Sequence, residues 1–188
     1  MRHTRRRMGQ RRLGFTLVEL MIVVVIIGVL SVLAVVGFRK NTFSARNSEA
    51  VQFLGAVRAA QENYFSAYGQ YCGAPQPDEW PAAMPSPDSG KLDWGSPVAG
   101  NAWRDLGVRS PGRTWFQYRL ASGRAGQAVV PPPGGACDQV AGGANPIQNG
   151  ARPWFWVQAR GDFDGDGKLS TFEVTSEKPE VWIACENY

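Results

Sequence analysis

Histidine is nearly absent from this chain: the single one, His3, lies in a short basic stretch at the start. A protein that loses that stretch keeps no histidine, and with it no use of the commonest general base or of a common metal ligand. Cysteine is scarce too. Cys72, Cys137 and Cys185 are far apart and form no CxxC pair, which argues against a structural zinc site. One disulfide plus one free thiol suits an exported protein, and three packed thiols are the alternative. The usual catalytic signatures are missing: there is no GxSxG, no HExxH and no dinucleotide fingerprint. Gly167-Lys168 is followed by Leu169 where a phosphate loop needs Ser or Thr. The expectation is a protein that is not an enzyme and takes no organic cofactor.

Acidic residues are absent before Phe15, while Arg2, Arg5, Arg6, Arg7, Arg11 and Arg12 all lie there. The formal charge of +4 comes from this segment. Without it, 14 basic residues face 16 acidic ones, a formal charge of −2. The basic balance therefore marks a targeting segment, and no nucleic-acid partner is expected.

Proline is missing from residue 15 to residue 68. Within that stretch, residues 20–36 contain one polar side chain, Ser31. As a helix this run is roughly 26 Å long, and with residues 15–18 ahead of it can cross a hydrocarbon core of about 30 Å. Arginines on the N-terminal side predict that this end stays cytoplasmic and the rest is exported. A secretory signal would have a shorter apolar run and a small-residue cleavage site after it. A plain anchor fits the hydropathy but gives no reason for Glu19, a carboxylate near the edge of a membrane helix that needs a partner or a wet setting.

The helical pattern continues past the membrane run. Apolar residues recur at Phe43, Ala50, Leu54, Val57, Tyr64 and Tyr68, with Phe65 flanking, and Gly69 supplies a stop. The polar residues Arg46, Glu49, Gln52, Arg58, Gln61 and Glu62 fill much of the rest. The pattern predicts one helix over 15–68, apolar all round in its first half and amphipathic in its second. Residues 73–114 read as a long ordered loop with a short helical turn near 103–106. Strand patterns follow at 115–120, 127–130, 154–159, 169–175 and 180–185. The fold class expected is α+β: a long N-terminal helix on a small antiparallel sheet of three to five strands. The divisions are a basic leader (1–14), a membrane helix half (15–38), an amphipathic half (39–69) and a β-rich soluble domain (70–188).

Gly14-Phe15-Thr16-Leu17-Val18-Glu19-Leu20-Met21-Ile22 resembles the prepilin cleavage and methylation motif of the type IV pilin-like family. The resemblance implies cleavage between Gly14 and Phe15 by a prepilin peptidase, methylation of the new Phe15 amino group, and pairing of Glu19 with a Phe15 ammonium inside a filament. Opposite charges in an apolar bundle are tolerable when paired and costly alone. It also implies copies of the chain or related pilins as partners, an inner-membrane assembly platform, contact with membrane lipid before assembly, and a mature periplasmic or extracellular filament. Many members carry a proline where this chain has Val36, so a straighter helix is expected, with Gly28 and Gly37 as its weak points.

Residues 162–173 follow the twelve-residue calcium-loop pattern. Asp162, Asp164 and Asp166 stand at the alternate positions, Gly167 at the turn, Lys168 at the carbonyl position, Ser170 at the ninth and Glu173 at the twelfth. The flanks read as strands, so the expectation is a calcium loop between two strands, with Glu173 the ligand most exposed to strand geometry. An Asp/Gly-rich turn without metal is the alternative. A Cys137–Cys185 disulfide and a Cys72–Cys137 disulfide are both open, the first favoured. Within the filament class, a type IV pilus subunit stands beside a type II secretion pseudopilin and a minor or adhesive pilin, for which seven tryptophans supply possible contacts.

Overall fold

The computed structural model describes residues 14–132, 147–163 and 165–184, with the side chains of 36, 39 and 40 left aside. The leader up to residue 13, Asp164, Cys137 and Cys185 lie outside the described residues. The element order is α1 (Leu17–Tyr68), β1 (Asp78–Trp80), α2 (Ala102–Asp105), β2 (Gln117–Gly123), β3 (Trp154–Gly161), β4 (Ser170–Thr175) and β5 (Trp182–Ala184). The fold class is α+β. The chain divides into two units, Met1–Asn41 and Thr42–Tyr188.

In the first unit, α1 begins behind Thr16. The Glu19 N–H donates to Thr16 Oγ1 at 3.2 Å, and the Thr16 N–H donates back to Glu19 Oε2 at 2.9 Å. This reciprocal capping box satisfies two donors that a helix start leaves orphaned. The helix assignment runs through Gly28 and Gly37. Every residue from 14 to 35 is exposed, and the 19 residues Leu17–Val35 are long and apolar enough to cross a membrane.

In the second unit, the amphipathic part of α1 buries Ala50, Phe53, Leu54 and Val57 in one core with Tyr118, Leu120, Phe155, Val157, Phe172 and Val174 of the sheet. Full burial of a side chain such as Leu54 is worth about 2 kcal/mol. Gln61 is also fully buried. Its Nε2 donates to the Cys72 carbonyl at 2.8 Å, and its Oε1 accepts from the Cys72 N–H at 2.9 Å. The amide thus pairs both backbone groups of a buried residue that has no strand partner. Tyr68, expected on the apolar face, is 67% exposed at the helix end. Gly69 follows with φ +68° and donates to the Phe65 carbonyl at 2.8 Å, a left-handed cap that suits glycine.

The sheet is a five-stranded antiparallel meander in the order β1-β2-β3-β4-β5. Tyr118 and Leu120 face α1, so the alternate residues Gln117, Arg119 and Ala121 lie on the other face. That second face is also covered. Ala121, Trp154 and Trp156 form a smaller core with Val129 and Ile147 against it.

This cover explains one departure from the sequence reading. Residues 127–130 form no strand. Their carbonyls are taken by indoles: Trp154 Nε1 donates to Gln127 O at 3.1 Å, and Trp156 Nε1 to Val130 O at 2.7 Å. Pro131 and Pro132 then supply no N–H for a ladder. The strand expected at 115–120 starts two residues later, at Gln117. The Trp115 N–H goes to Glu49 Oε1 and the Phe116 N–H to Thr114 Oγ1, so neither joins the sheet. Within the expected loop, β1 pairs with β2, and α2 is capped by Asn101 Oδ1 accepting from the Trp103 N–H at 3.0 Å. Asp78 ties these two together: Oδ2 accepts from the Ala102 N–H and its carbonyl from Trp103 Nε1.

Candidate functional site

The N-terminal site is assembled by the first turn of α1. Phe15 is 85% exposed, and a Cβ built on Gly14 meets nothing within 4 Å, so the Gly14–Phe15 peptide bond is open to an enzyme. Glu19 is held over this end of the helix. Its Oε2 accepts from both the Thr16 N–H and Thr16 Oγ1, the latter at 2.8 Å. Two bonds to one oxygen fix the carboxylate on the N-terminal end of the helix, where the backbone dipole favours a negative charge. Thr16 is the residue that sequence reasoning passed over. Its signal was present as Thr-x-x-Glu, the capping-box spacing, directly ahead of an apolar run.

The acidic turn lies between β3 and β4. Asp162 Oδ1 accepts from the Gly165 N–H at 2.8 Å and Oδ2 from the Gly167 N–H at 3.3 Å. Asp166 Oδ1 accepts from the Lys168 N–H at 2.7 Å, and its Oδ2 lies 3.4 Å from Lys168 Nζ. Gly165 and Gly167 have φ near +80°, which permits this tight winding. Phe163 anchors the turn by packing edge-on against Phe116 at 5.1 Å.

Two of the sequence-predicted ligands do not join the turn. Ser170 opens β4 opposite Gly161 and is fully buried. Glu173 is fully buried three positions further, opposite Gln158 and Trp182, with Oε2 accepting from Gln158 Nε2 at 3.4 Å. An odd separation along a strand puts Ser170 and Glu173 on opposite faces, so one ion cannot take both. Among the described residues, no three His, Cys, Asp or Glu side chains converge to hold a metal.

Cys72 is buried and free. Both candidate partners of the disulfide expectations, Cys137 and Cys185, lie outside the described residues. Burial pushes the Cys72 thiol up to about 11, with Asp105 and Asp78 adding to the effect.

Residues 9–35 match the family described as the prokaryotic N-terminal methylation motif. The matched stretch of this chain is similar to that of type IV pilins. The chain is 45% identical over 65 residues to the type IV major pilin protein PilA of Myxococcus xanthus, covering 35% of this chain and 30% of that one. It is 36% identical over 76 residues to the type IV major pilin protein PilE1 of Neisseria gonorrhoeae, covering 40% and 33%. It is 39% identical over 56 residues to the fimbrial protein EcpC of Eikenella corrodens, covering 30% and 37%. The chain thus spans about a third of the length of the curated relatives it matches. No solved structure matches it.

None of the seven tryptophans is fully exposed. Trp94, Trp103, Trp154 and Trp156 are buried, and Trp80, Trp115 and Trp182 are half-buried. Phe53, Trp94, Trp103 and Tyr118 pack together with ring centroids 4.4–6.3 Å apart. These rings build the core between α1 and the loop that follows it.

Proposed function

We propose that this chain is a subunit of a bacterial type IV pilus. It is made as a single-pass inner-membrane precursor with its N-terminus in the cytoplasm. A prepilin peptidase cuts between Gly14 and Phe15, Phe15 is methylated, and an inner-membrane platform assembles the product through α1.

One observation carries this reading: the stretch Leu17–Val35, apolar apart from Glu19 and Ser31, contains no buried residue and lies directly behind an exposed Phe15. Such a surface needs lipid or other helices around it. Between apolar helices in lipid there is little hydrophobic drive to associate, so packing and polar contacts decide the arrangement. Cleavage frees an ammonium on Phe15, and Glu19 is the one carboxylate near it in sequence. In an apolar bundle the pair satisfies both charges, whereas either alone is costly. The capping box holds Glu19 at the helix end where that ammonium forms. The matched relatives are named as pilins and fimbrial proteins, which supports a pilus over a secretion pseudopilus. Four of the seven tryptophans are buried, which leaves an adhesive role little aromatic surface.

The test separates cap from charge. Glutamine serves in a capping box as glutamate does, but carries no charge. Glu19→Gln and Glu19→Ala should both abolish filaments while leaving membrane insertion intact. Normal filament yield from Glu19→Gln would reduce Glu19 to a helix cap.

We infer also that residues 162–168 hold calcium through Asp162, Asp164, Asp166 and the Lys168 carbonyl, without Ser170 or Glu173. Hard oxygen donors at alternate positions suit this cation, and a divalent charge would relieve the crowding of carboxylates. Calorimetric titration of the detergent-solubilised chain should show heat and a raised melting temperature with calcium, both lost in Asp162→Asn. Absence of both in the wild type refutes it.

A further inference from the structure

The turn leading into β3 holds the single Asn-Gly pair of the chain, Asn149-Gly150. Asn149 is exposed, and its side-chain Oδ1 accepts from the Ala151 N–H at 3.1 Å. The Arg152 N–H donates to the Asn149 carbonyl at 3.3 Å, and the Gly126 N–H donates to the Gly150 carbonyl at 2.8 Å. The Gly150 N–H has no acceptor among the described residues.

An asparagine side chain is electrophilic at Cγ, and the backbone nitrogen of the next residue can reach it to close a five-membered ring. Three features favour that attack here. The Gly150 nitrogen is not held in a hydrogen bond, and no side chain beside it blocks the approach. The Ala151 N–H, already on Oδ1, is a donor placed where negative charge grows as Cγ becomes tetrahedral. Exposure supplies hydroxide and water. Asn101 is the contrast within the same molecule. Its Oδ1 also accepts from the N–H two residues on, that of Trp103, at 3.0 Å. The next N–H, of Ala102, is however held by Asp78 Oδ2 at 2.9 Å. Asn47 and Asn63 lie inside α1, where the following N–H belongs to the helix ladder.

We propose that Asn149 is a site of spontaneous covalent modification. The Gly150 nitrogen gives its proton to hydroxide and bonds to Asn149 Cγ. The Cγ–Nδ2 bond breaks, and Nδ2 leaves as ammonia, so a succinimide remains. Water adds to either ring carbonyl and opens the ring, which leaves aspartate or isoaspartate at position 149. No electron is exchanged, so the reaction needs no oxidant or reductant. Either product brings a carboxylate close to Glu177, which accepts from the Asn149 N–H at 2.7 Å and from the Gln148 N–H at 3.0 Å. Like charges then crowd that clamp. Isoaspartate also adds a methylene to the main chain, which breaks the register of the turn. The site lies wholly in the second unit and does not depend on how filaments assemble.

The full chain in detergent is held at physiological temperature in neutral and in mildly alkaline buffer. It is then digested, and the asparagine peptides are followed by mass spectrometry with aspartate and isoaspartate resolved. The peptide containing Asn149 should convert at a rate proportional to hydroxide, while the peptide containing Asn101 stays intact. Ala151→Pro removes the N–H on Oδ1 and should slow conversion severalfold in the folded chain, with no change in urea. Gly150→Ala should slow it at least tenfold in both states, and this variant carries the test if circular dichroism shows Ala151→Pro to be unfolded. The proposal is overturned if Asn149 stays intact in the folded wild type over a period that converts it in urea. It is equally overturned if Asn101 converts as fast in the folded chain, or if a folded variant of either kind converts as fast as the wild type.

Discussion

Replacing Gln61 by leucine should cost the second unit far more than its polar side chain suggests. Gln61 is fully buried, and its amide pairs both the N–H and the carbonyl of Cys72. Leucine is similar in size, so the cavity contribution is small, but both backbone groups lose their partner. Each orphaned buried group costs about 1–3 kcal/mol. The better transfer of leucine out of water offsets about 1 kcal/mol of that. The net loss is about 1–5 kcal/mol, which for a chain of this size lowers the melting temperature by roughly 2–20 °C. Urea unfolding of the detergent-solubilised chain, followed by tryptophan fluorescence, should show a lower midpoint with an unchanged slope. Gln52→Leu, at an exposed position of the same helix, should stay within about 0.5 kcal/mol. If Gln61→Leu is as mild as Gln52→Leu, the clamp on Cys72 is not what holds the loop to α1.

The same structure leads to further expected outcomes at Cys72, Tyr118, Gly123 and Arg58. The Cys72 thiol should resist alkylation in the folded chain and react once urea unfolds it, because burial keeps it protonated up to about 11. The unfolded thiol ionises from about 8.5, so stability should fall as pH rises from there to about 11, and Cys72→Ala should flatten part of that slope. Tyr118, whose phenol burial holds above the usual tyrosine range, should steepen the loss at still higher pH. Gly123→Ala should destabilise by about 1–3 kcal/mol, because the new Cβ would overlap the Trp154 indole. Arg58→Ala should cost about 1–2 kcal/mol, since Nη1 donates to the Thr175 carbonyl at 2.9 Å and the Lys178 carbonyl at 2.7 Å, joining α1 to the β4–β5 turn.

Long-period features were legible and short irregular ones were not. The apolar run, the stripe Ala50, Leu54, Val57 and the Gly69 stop each rest on local chemistry repeated over many residues, and the structure holds all of them. Gln61 continues that stripe at the next step of four, so its position was visible even though its polarity suggested a solvated face. β1 was not visible: Asp78-Glu79-Trp80 has no alternation, and the strand exists because β2 offers it an edge. Residues 127–130 look like a strand because they are apolar. Their hydrogen bonds go instead to Trp154 and Trp156, far along the chain, which no local pattern reports. Glu173 fits the twelfth position of a calcium loop by count alone. That count assumes a helix after the turn, and here the turn enters β4, whose alternation sends Glu173 to the opposite face from Ser170. The Gly14–Glu19 motif was legible because adjacent residues carry it, with no need of tertiary structure.

Intact-mass and N-terminal peptide analysis of the protein recovered from its native membrane or filaments addresses the central claim. The account requires a chain that begins at Phe15 and carries a methyl group on its amino nitrogen. A chain that keeps its arginine-rich leader, or one cut downstream of the apolar helix, would contradict it.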